Sequence, residues 1–368
     1  MKKKFIFIIS LLTMILVMGM ASSAHEQLQD ATLEITVTAT NGGRVYRGDD
    51  NWSALTGLEL SRGTEITLEA IENKGKFVYW KDEISNKIIS DDPTYTFTLI
   101  KDMNITAFFL PDNYLASYGY VTFADINGRI FRSNYVADGA AANEPDVSWV
   151  ENPGYTLVGW DSDEWKNVSA GEILLIRTEY EKKEVSYELS VTGGSSDPLL
   201  SEYEYDELVT IVADAALIPQ DKVFAGWNVN GEKVAYSKIF GIRMGCNVEA
   251  EAVYAEEECE NLPLVAVIDV DTEVYSNGVS ILMMRNIPEE YEVVESGMLM
   301  AYGTSEDALT IDSASVTVAK ALDNSHRGMY RYNKNLGTGA TLRVVPYVIY
   351  KTDDTLYITY GTEKRITR

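Results

Sequence analysis

The chain has 368 residues, 46% of them hydrophobic and 11% aromatic, so it has enough apolar side chains for buried cores and is not a disordered polymer. Its 31 basic and 56 acidic residues give a net charge of −25, which repels phosphate backbones and argues against nucleic acid as a partner. Two cysteines, Cys246 and Cys259, are too few for a disulfide framework or a four-cysteine zinc site, and their spacing leaves open whether they form one bridge.

The N-terminus carries the pattern of a secretory signal peptide. Three lysines at positions 2–4 precede an apolar run from Phe5 to Met20, and small residues extend from Ala21 to Ala24. This order predicts a signal peptide over residues 1–24, with an uncleaved membrane anchor as the alternative. No transmembrane segment is expected after cleavage, because no second apolar stretch approaches the ~20 residues that a spanning helix needs. The predicted location is therefore the cell surface or the extracellular medium.

Residues 33–111 are predicted to form a small β module, called module 1. Its strand-like runs are, in chain order, 63–70, 75–80, 95–99 and 104–109. Alternation with a period of two places Ile105, Ala107 and Phe109 on one face of the last run, which is typical of a strand with one buried face.

The same order of runs returns twice. Module 2, over residues 118–182, has runs at 120–124, 154–160 and 173–180, and module 3, over residues 187–256, has runs at 208–213, 223–227, 236–240 and 247–254. In each module one run ends in tryptophan, and a unit of ~70 residues needs large apolar side chains to form a core. The predicted core residues of the modules are Trp80, Trp160, Trp227, Phe109, Tyr180 and Tyr254. The alternative is that the three tryptophans form an exposed ligand platform.

These segments resemble the internalin-B-type repeats, also called Listeria–Bacteroides or bacterial repeats. The resemblance rests on the segment Gly154-Tyr-Thr-Leu-Val-Gly-Trp160, on its counterparts Gly226-Trp227 and Tyr79-Trp80, and on terminal strands that end in Phe109 and Tyr254. It covers about residues 33–256, although the first copy lacks the glycine before its tryptophan. It implies small β-grasp-like or hairpin-rich modules of surface proteins, used as a stalk or in adhesion.

Residues 262–368 are predicted to form a β-sandwich. Six strand-like runs separated by turn signals lie at 264–268, 279–284, 291–302, 314–319, 341–350 and 355–360. The last two resemble the closing hairpin of fibronectin-type-III-like modules. The predicted fold class is therefore all-β, with tandem small β-rich repeat modules followed by a β-sandwich.

No catalytic, cofactor-binding or metal-binding residue is predicted, and the chain is expected not to be an enzyme. Of the two histidines, His25 lies next to the predicted cleavage site and His326 in a polar loop, and no serine has a Gly-x-Ser-x-Gly surrounding. A pair of carboxylates remains open as a catalytic centre. Asp269 and Asp271 share one face of an extended run, so a calcium ion also remains open, with solvated carboxylates as the alternative.

The pattern as a whole indicates an exported, non-catalytic protein that acts as a spacer or adhesive scaffold for an unknown protein or glycan ligand. One alternative is a carbohydrate-binding accessory protein of a polysaccharide-degrading system. In that case Trp52, Trp149 and Trp165, which lie outside the predicted repeat cores, are the rings expected to stack on sugars. Another is a structural envelope component without a soluble ligand.

Overall fold

The computed structural model describes residues 24–28, 30–48, 56–147, 150, 154–272, 278–314, 316–321, 323–352 and 355–368. Most of the predicted signal peptide therefore lies outside the described residues. Over these ranges nearly all of the regular secondary structure is β-strand, which confirms the all-β fold class. One helical turn, α1 (Asp112–Leu115), follows module 1, and two 3-10 turns occupy Glu164–Lys166 and Ala215–Leu217.

Thirty strands are assigned within the described ranges. In module 1 and before it they are β1 (Ala24–Gln27), β2 (Thr32–Ala39), β3 (Gly43–Arg47), β4 (Leu58–Ser61), β5 (Glu65–Glu72), β6 (Gly75–Asp82), β7 (Lys87–Ser90), β8 (Thr94–Thr98) and β9 (Met103–Pro111). In module 2 they are β10 (Tyr118–Ala124), β11 (Ile130–Ala137), β12 (Tyr155–Trp160) and β13 (Ile173–Lys182).

In module 3 the strands are β14 (Ser186–Tyr187), β15 (Leu189–Thr192), β16 (Gly194–Asp197), β17 (Tyr203–Glu204), β18 (Leu208–Ala213), β19 (Val223–Val229), β20 (Glu232–Ala235), β21 (Ile239–Arg243) and β22 (Val248–Ala255). In the C-terminal domain they are β23 (Leu264–Asp271), β24 (Gly278–Asn286), β25 (Glu292–Tyr302), β26 (Thr317–Lys320), β27 (Arg327–Asn335), β28 (Thr341–Thr352), β29 (Thr355–Tyr360) and β30 (Lys364–Thr367).

The three modules share one arrangement of three strands. The last strand of each module lies between a strand near the start of the module, to which it is parallel, and the tryptophan-containing strand, to which it is antiparallel. The triplets are β2-β9-β6, β10-β13-β12 and β15-β22-β19. Because parallel neighbours need a long crossover, the rest of each module lies between its first and last strand.

A one-residue bulge marks the same place in all three triplets. The register of the tryptophan-containing strand shifts two residues before the tryptophan, at Val78, Val158 and Ala225. The next residue has a φ of 149° at Gly159 and 135° at Gly226, which is why glycine precedes tryptophan in modules 2 and 3.

Modules 1 and 3 each have a second, three-stranded sheet that covers the triplet. These sheets have the orders β3-β5-β8 and β16-β18-β21. The core of module 1 lies between its two sheets and includes Trp80, Ile105 and Phe109. The core of module 3 likewise includes its tryptophan, Trp227, together with Phe240 of β21.

The C-terminal domain is a two-sheet sandwich. One sheet has the order β1-β29-β28-β25-β26, with β30 also paired to β28, and the other has the order β23-β24-β27. Even-numbered residues of β28, such as Leu342 and Val344, face the smaller sheet. Odd-numbered residues, such as Val345 and Tyr347, are buried on the opposite face. Strand β1 precedes module 1 in the chain but pairs with β29, so the start of the described chain belongs to this last domain.

The modules and the sandwich touch one another in a closed cycle. Modules 1 and 2 share a cluster of buried residues around Tyr79 and Leu115, and the core of module 3 continues into β23 and β24 of the sandwich. The sandwich returns to module 1, because Ile100 is buried with sandwich residues and Arg62 forms an ion pair of 2.5 Å with Asp312. The tandem order along the sequence therefore folds into a closed arrangement.

Candidate functional site

A large cleft lies where all three modules meet the C-terminal domain. It has a volume of about 1490 Å³. Module 1 contributes residues 84–87, module 2 contributes two stretches at 125–130 and 177–180, and the sandwich contributes residues 325–335 of β27 and the loop before it. A cleft of this volume accommodates a ligand of several rings.

A main-chain contact joins modules 1 and 2 at the edge of this cleft. Lys87 and Arg129 are partners in an isolated antiparallel bridge, and the N–H of Ile88 donates a hydrogen bond of 2.8 Å to the carbonyl oxygen of Gly128. Gly128 has φ +80°, and a Cβ on it would lie 2.0 Å from the Ile88 oxygen. Only glycine fits this approach of two chains.

Aromatic rings join modules 2 and 3 at another side of the cleft. Tyr155 and Tyr205 meet edge to face, with ring centroids 5.1 Å apart, and both line the cleft. Gly154, at φ +80°, permits this contact, since a Cβ there would lie 2.3 Å from the Tyr205 ring. An ion pair of 3.1 Å between Lys182 and Glu204 lies at the same boundary.

A buried arginine holds the wall that the sandwich contributes. The side chain of Arg285 is fully buried and donates to Asp323 at 2.5 Å and to the Ser325 hydroxyl at 2.7 Å. Its guanidinium also lies 4.5 Å from the centroid of the Tyr330 ring. Burial alone would raise the pKa of Asp323, but the hydrogen bonds from Ser325 and Tyr330 and the charge of Arg285 lower it to about 2. The wall thus contains a charged, hydrogen-bonded network at neutral pH, although the buried Nε of Arg285 has no hydrogen-bond partner among the described residues.

Eight basic residues line the cleft, and five of them form ion pairs with acids. These pairs are Arg177–Asp91, Arg243–Asp206, Lys320–Glu295, Arg327–Glu289 and Arg331–Asp269. Lys87, Arg129 and Lys334 also line the cleft. Because the five pairs are internal to the protein, they reduce the positive charge that those five residues offer to a ligand.

Six tyrosines also line the cleft, and their exposure differs widely. They are Tyr155, Tyr180, Tyr205, Tyr302, Tyr330 and Tyr332. Tyr302 is 58% exposed, and its hydroxyl donates a hydrogen bond of 2.8 Å to the Asn335 carbonyl, which fixes the ring at the end of β27. Burial raises the pKa of Tyr205 and Tyr330 to about 12, so both hydroxyls are protonated at neutral pH.

The predicted core residues occupy different depths. Trp80, Trp227 and Phe109 are at most 1% exposed, and the Trp80 indole donates a hydrogen bond of 2.9 Å to the Asp92 carbonyl. Trp160 is only half-buried, and its indole donates a hydrogen bond of 2.7 Å to Glu144. Half-buried positions are also found for Tyr180, in the cleft, and for Tyr254, beside the core of module 3. The three tryptophans do not line the cleft.

The prediction that Trp165 lies outside the repeat cores is wrong. This ring is 7% exposed and packs in the core of module 2, with its centroid 5.5 Å from that of Phe123. The 3-10 turn at 164–166 brings it inward, a contact that no alternation pattern signals. The other two predicted stacking rings, Trp52 and Trp149, lie outside the described residues.

The groups considered for chemistry are held in local contacts. The His326 Nε2 lies 2.8 Å from the Tyr291 carbonyl oxygen, and its Nδ1 lies 3.5 Å from Glu289. Asp269 pairs with Arg331 at 3.5 Å. Within the described ranges no group of three His, Cys, Asp or Glu side chains is placed to hold a metal ion.

The two cysteines are free thiols. Cys246 is buried and Cys259 is exposed. Burial raises the pKa of the Cys246 thiol to about 12. Among the described residues no helix has the length and apolar character needed to cross a bilayer.

Comparison with known proteins identifies the first module. Residues 33–113 match the family model of the divergent InlB B-repeat domain. The internalin-B-type resemblance is thereby confirmed for module 1. A solved structure of a DUF3823 family protein from Bacteroides uniformis is similar with a TM-score of 0.22 and 10% identity, over 68% of this chain and 99% of that chain. No curated protein matches the chain.

Proposed function

We propose that this protein is an exported, non-catalytic binding scaffold of the cell surface or the extracellular medium, and that its ligand binds in the cleft between the modules. The contact cycle that closes around the cleft carries this proposal. Repeats that served only as spacers would not need to converge on one tyrosine-lined surface. The lysine-led apolar N-terminus and the InlB B-repeat module support the extracellular setting.

The charged groups of the cleft support binding rather than turnover. Asp206 and Asp323 form ion pairs with arginines, and Asp125 accepts hydrogen bonds of 2.8 Å from the N–H groups of Asn127 and Arg129. Carboxylates that already form ion pairs or hydrogen bonds within the protein are poor candidates for the paired acids of a glycosidase.

A binding screen against glycans and matrix proteins tests the proposal. The matched variants are Tyr302→Ala, in the cleft, and Tyr114→Ala, a 50% exposed tyrosine outside it. We expect Tyr302→Ala to lower the affinity for the ligand found by about tenfold, since loss of a stacked ring costs ~1–3 kcal/mol by analogy with base stacking, and Tyr114→Ala to leave it unchanged. Equal binding by both variants, or turnover of a screened ligand by the wild-type protein, would refute the proposal.

The second candidate is an accessory protein that holds a polysaccharide for degrading enzymes. The exposed tyrosine of the cleft favours it, because a flat aromatic face can pack against a sugar ring. Fractionation of cells grown on and without polysaccharide separates the two candidates. An accessory protein should accumulate with its substrate, whereas a general scaffold should not.

A further inference from the structure

The outer edge of β27 is a strand edge that lies in the cleft. This strand is the last of the three-stranded sheet β23-β24-β27, and among the described strands it pairs with β24 alone. All nine of its residues, Arg327–Asn335, pair with β24 in one continuous register, and all nine line the cleft. A long, regular edge without a bulge or a proline is a template for a further strand.

One hydrogen bond shows which main-chain groups of β27 point to this edge. Just before β27 begins, the Ile287 N–H donates a hydrogen bond of 2.8 Å to the carbonyl oxygen of His326, the residue directly opposite. Hydrogen-bonded pairs alternate along an antiparallel ladder. The even-numbered residues of β27 therefore bond to β24, and the odd-numbered residues point their N–H and C=O groups away from it.

Hydroxyl groups occupy both ends of the edge. The Ser325 hydroxyl donates a hydrogen bond of 3.0 Å to the Arg327 carbonyl oxygen, and the Tyr302 hydroxyl donates one of 2.8 Å to the Asn335 carbonyl oxygen. Both acceptors are odd-numbered, which agrees with the alternation. These two contacts limit the length over which another chain can pair with β27.

The middle of the edge presents main-chain groups without a partner. Among the described residues, the N–H and C=O groups of Met329 and Arg331 make no hydrogen bond. The two side chains turn towards module 3, where Met329 packs against the core and Arg331 donates a hydrogen bond of 2.9 Å to the Gly245 carbonyl oxygen. Since both residues are half-buried, an occupant of the cleft that supplies the missing hydrogen bonds gains binding energy.

We propose that β27 binds an extended segment of a partner polypeptide, which adds a fourth strand to the sheet at Met329 and Arg331. This assignment rests on the proposed function of the cleft and names the class of its ligand. Alternate residues of an extended chain repeat every ~6.8 Å, which is also the spacing of Met329 and Arg331 along β27. One added strand therefore meets both residues at once, and the hydroxyl contacts at Arg327 and Asn335 limit the paired segment to about seven residues.

Calorimetry with the whole chain and short peptides tests the assignment. A library of acetylated and amidated heptapeptides, varied at alternate positions, supplies the probe. The tightest member is then made again with N-methyl groups on two adjacent central residues, which keeps every side chain but removes one N–H from each edge of the peptide. We expect the N-methylated peptide to bind at least tenfold more weakly, because it cannot complete the ladder with β27.

Met329→Pro and Met329→Ala form a matched pair of variants. Both lose the methionine side chain, but only proline removes the N–H that points into the cleft. The ladder with β24 stays intact in both, because the Met329 N–H does not take part in it. We expect Met329→Pro to bind the peptide at least tenfold more weakly than Met329→Ala.

Hydrogen exchange of the wild-type protein reads the contact directly. In the free protein the amides of Met329 and Arg331 should exchange faster than those of Tyr330 and Tyr332, which bond to β24. Saturating peptide should slow exchange at Met329 and Arg331 and change it little at Tyr330 and Tyr332.

Near-ultraviolet circular dichroism of each variant separates lost binding from lost folding. Failure of every heptapeptide to bind, or equal binding of the N-methylated and unmodified peptides, would overturn the assignment. Peptide binding without slower exchange at Met329 and Arg331 would place the peptide elsewhere and overturn it too. A glycan that binds in a manner dependent on Tyr302, in the absence of peptide binding, would leave the proposed function intact while removing this inference.

Discussion

A single methyl group at Gly128 tests whether the main-chain contact at Ile88 holds modules 1 and 2 together. Gly128 has φ +80°, and a Cβ on it would lie 2.0 Å from the Ile88 carbonyl oxygen. The Gly128 carbonyl in turn accepts the Ile88 N–H at 2.8 Å. A distance of 2.0 Å to a backbone atom cannot be relieved by a side-chain rotation, so Gly128→Ala must move the two chains apart.

Gly139 provides the matched control within the same module. Its φ is +72°, and a Cβ on it would meet nothing within 4 Å. Gly139→Ala should therefore cost only the left-handed backbone strain of ~1–2 kcal/mol, partly offset by ~0.4–1 kcal/mol from the reduced freedom of the unfolded chain. Gly128→Ala should carry the same net strain and also lose a hydrogen bond of ~0.5–1.5 kcal/mol. When the steric overlap between the added Cβ and the Ile88 carbonyl oxygen is included, we expect Gly128→Ala to destabilise the protein by about 1–3 kcal/mol more than Gly139→Ala.

Two measurements check this difference. Urea unfolding followed by tryptophan emission should give a lower midpoint for Gly128→Ala than for Gly139→Ala. Hydrogen exchange of the Ile88 amide should become faster only in Gly128→Ala, because that amide loses its acceptor. Equal midpoints together with unchanged exchange at Ile88 would refute the argument that the close approach holds this boundary.

Three further predictions concern single side chains. In urea unfolding, Trp80→Phe should destabilise the protein by ~1 kcal/mol more than Trp227→Phe. The reason is that the Trp80 indole donates a 2.9 Å hydrogen bond, whereas Trp227 Nε1 has no partner among the described residues. Equal losses of stability in the two variants would contradict this. Asp323 has a lowered pKa, so its stabilising contribution is present above its ordinary pKa of 3.8 and is lost as the pH falls towards 2. Asp323→Asn should therefore flatten that part of the pH–stability curve. An unchanged slope would contradict this prediction. A thiol reagent at pH 8 should label Cys259 alone in the native protein and Cys246 only after unfolding, whereas two native equivalents would show that Cys246 is accessible.

The strands with one buried face could be predicted from the sequence because their signal is local. The predicted run at 104–109 lies within β9, and the run at 75–80 lies within β6. The recurring tryptophan also marked the corresponding strand in the three modules, whereas the bulge before it was not predicted. Alternation and a closing aromatic ring depend only on neighbours in the chain, so no knowledge of distant contacts was needed.

Errors arose where a turn interrupts an apolar run. The predicted strand at 236–240 straddles the turn between β20 and β21, and the Ser237 hydroxyl accepts the Ile239 N–H there. A serine that bonds its own backbone competes with strand pairing, and hydrophobicity alone does not register it. Pro346 lies in the central strand β28, between the segment that pairs with β30 and the segment that pairs with β29. The missing N–H falls at this change of partner.

The cleft could not be predicted, because its residues are far apart in the chain. Residues 84–87, 125–130 and 325–335 come together only after three modules and the sandwich have closed on one another. A glycine in the sequence Asp125-Ile-Asn-Gly128 signals a tight turn. It does not signal that the turn meets the backbone of Ile88 in another module.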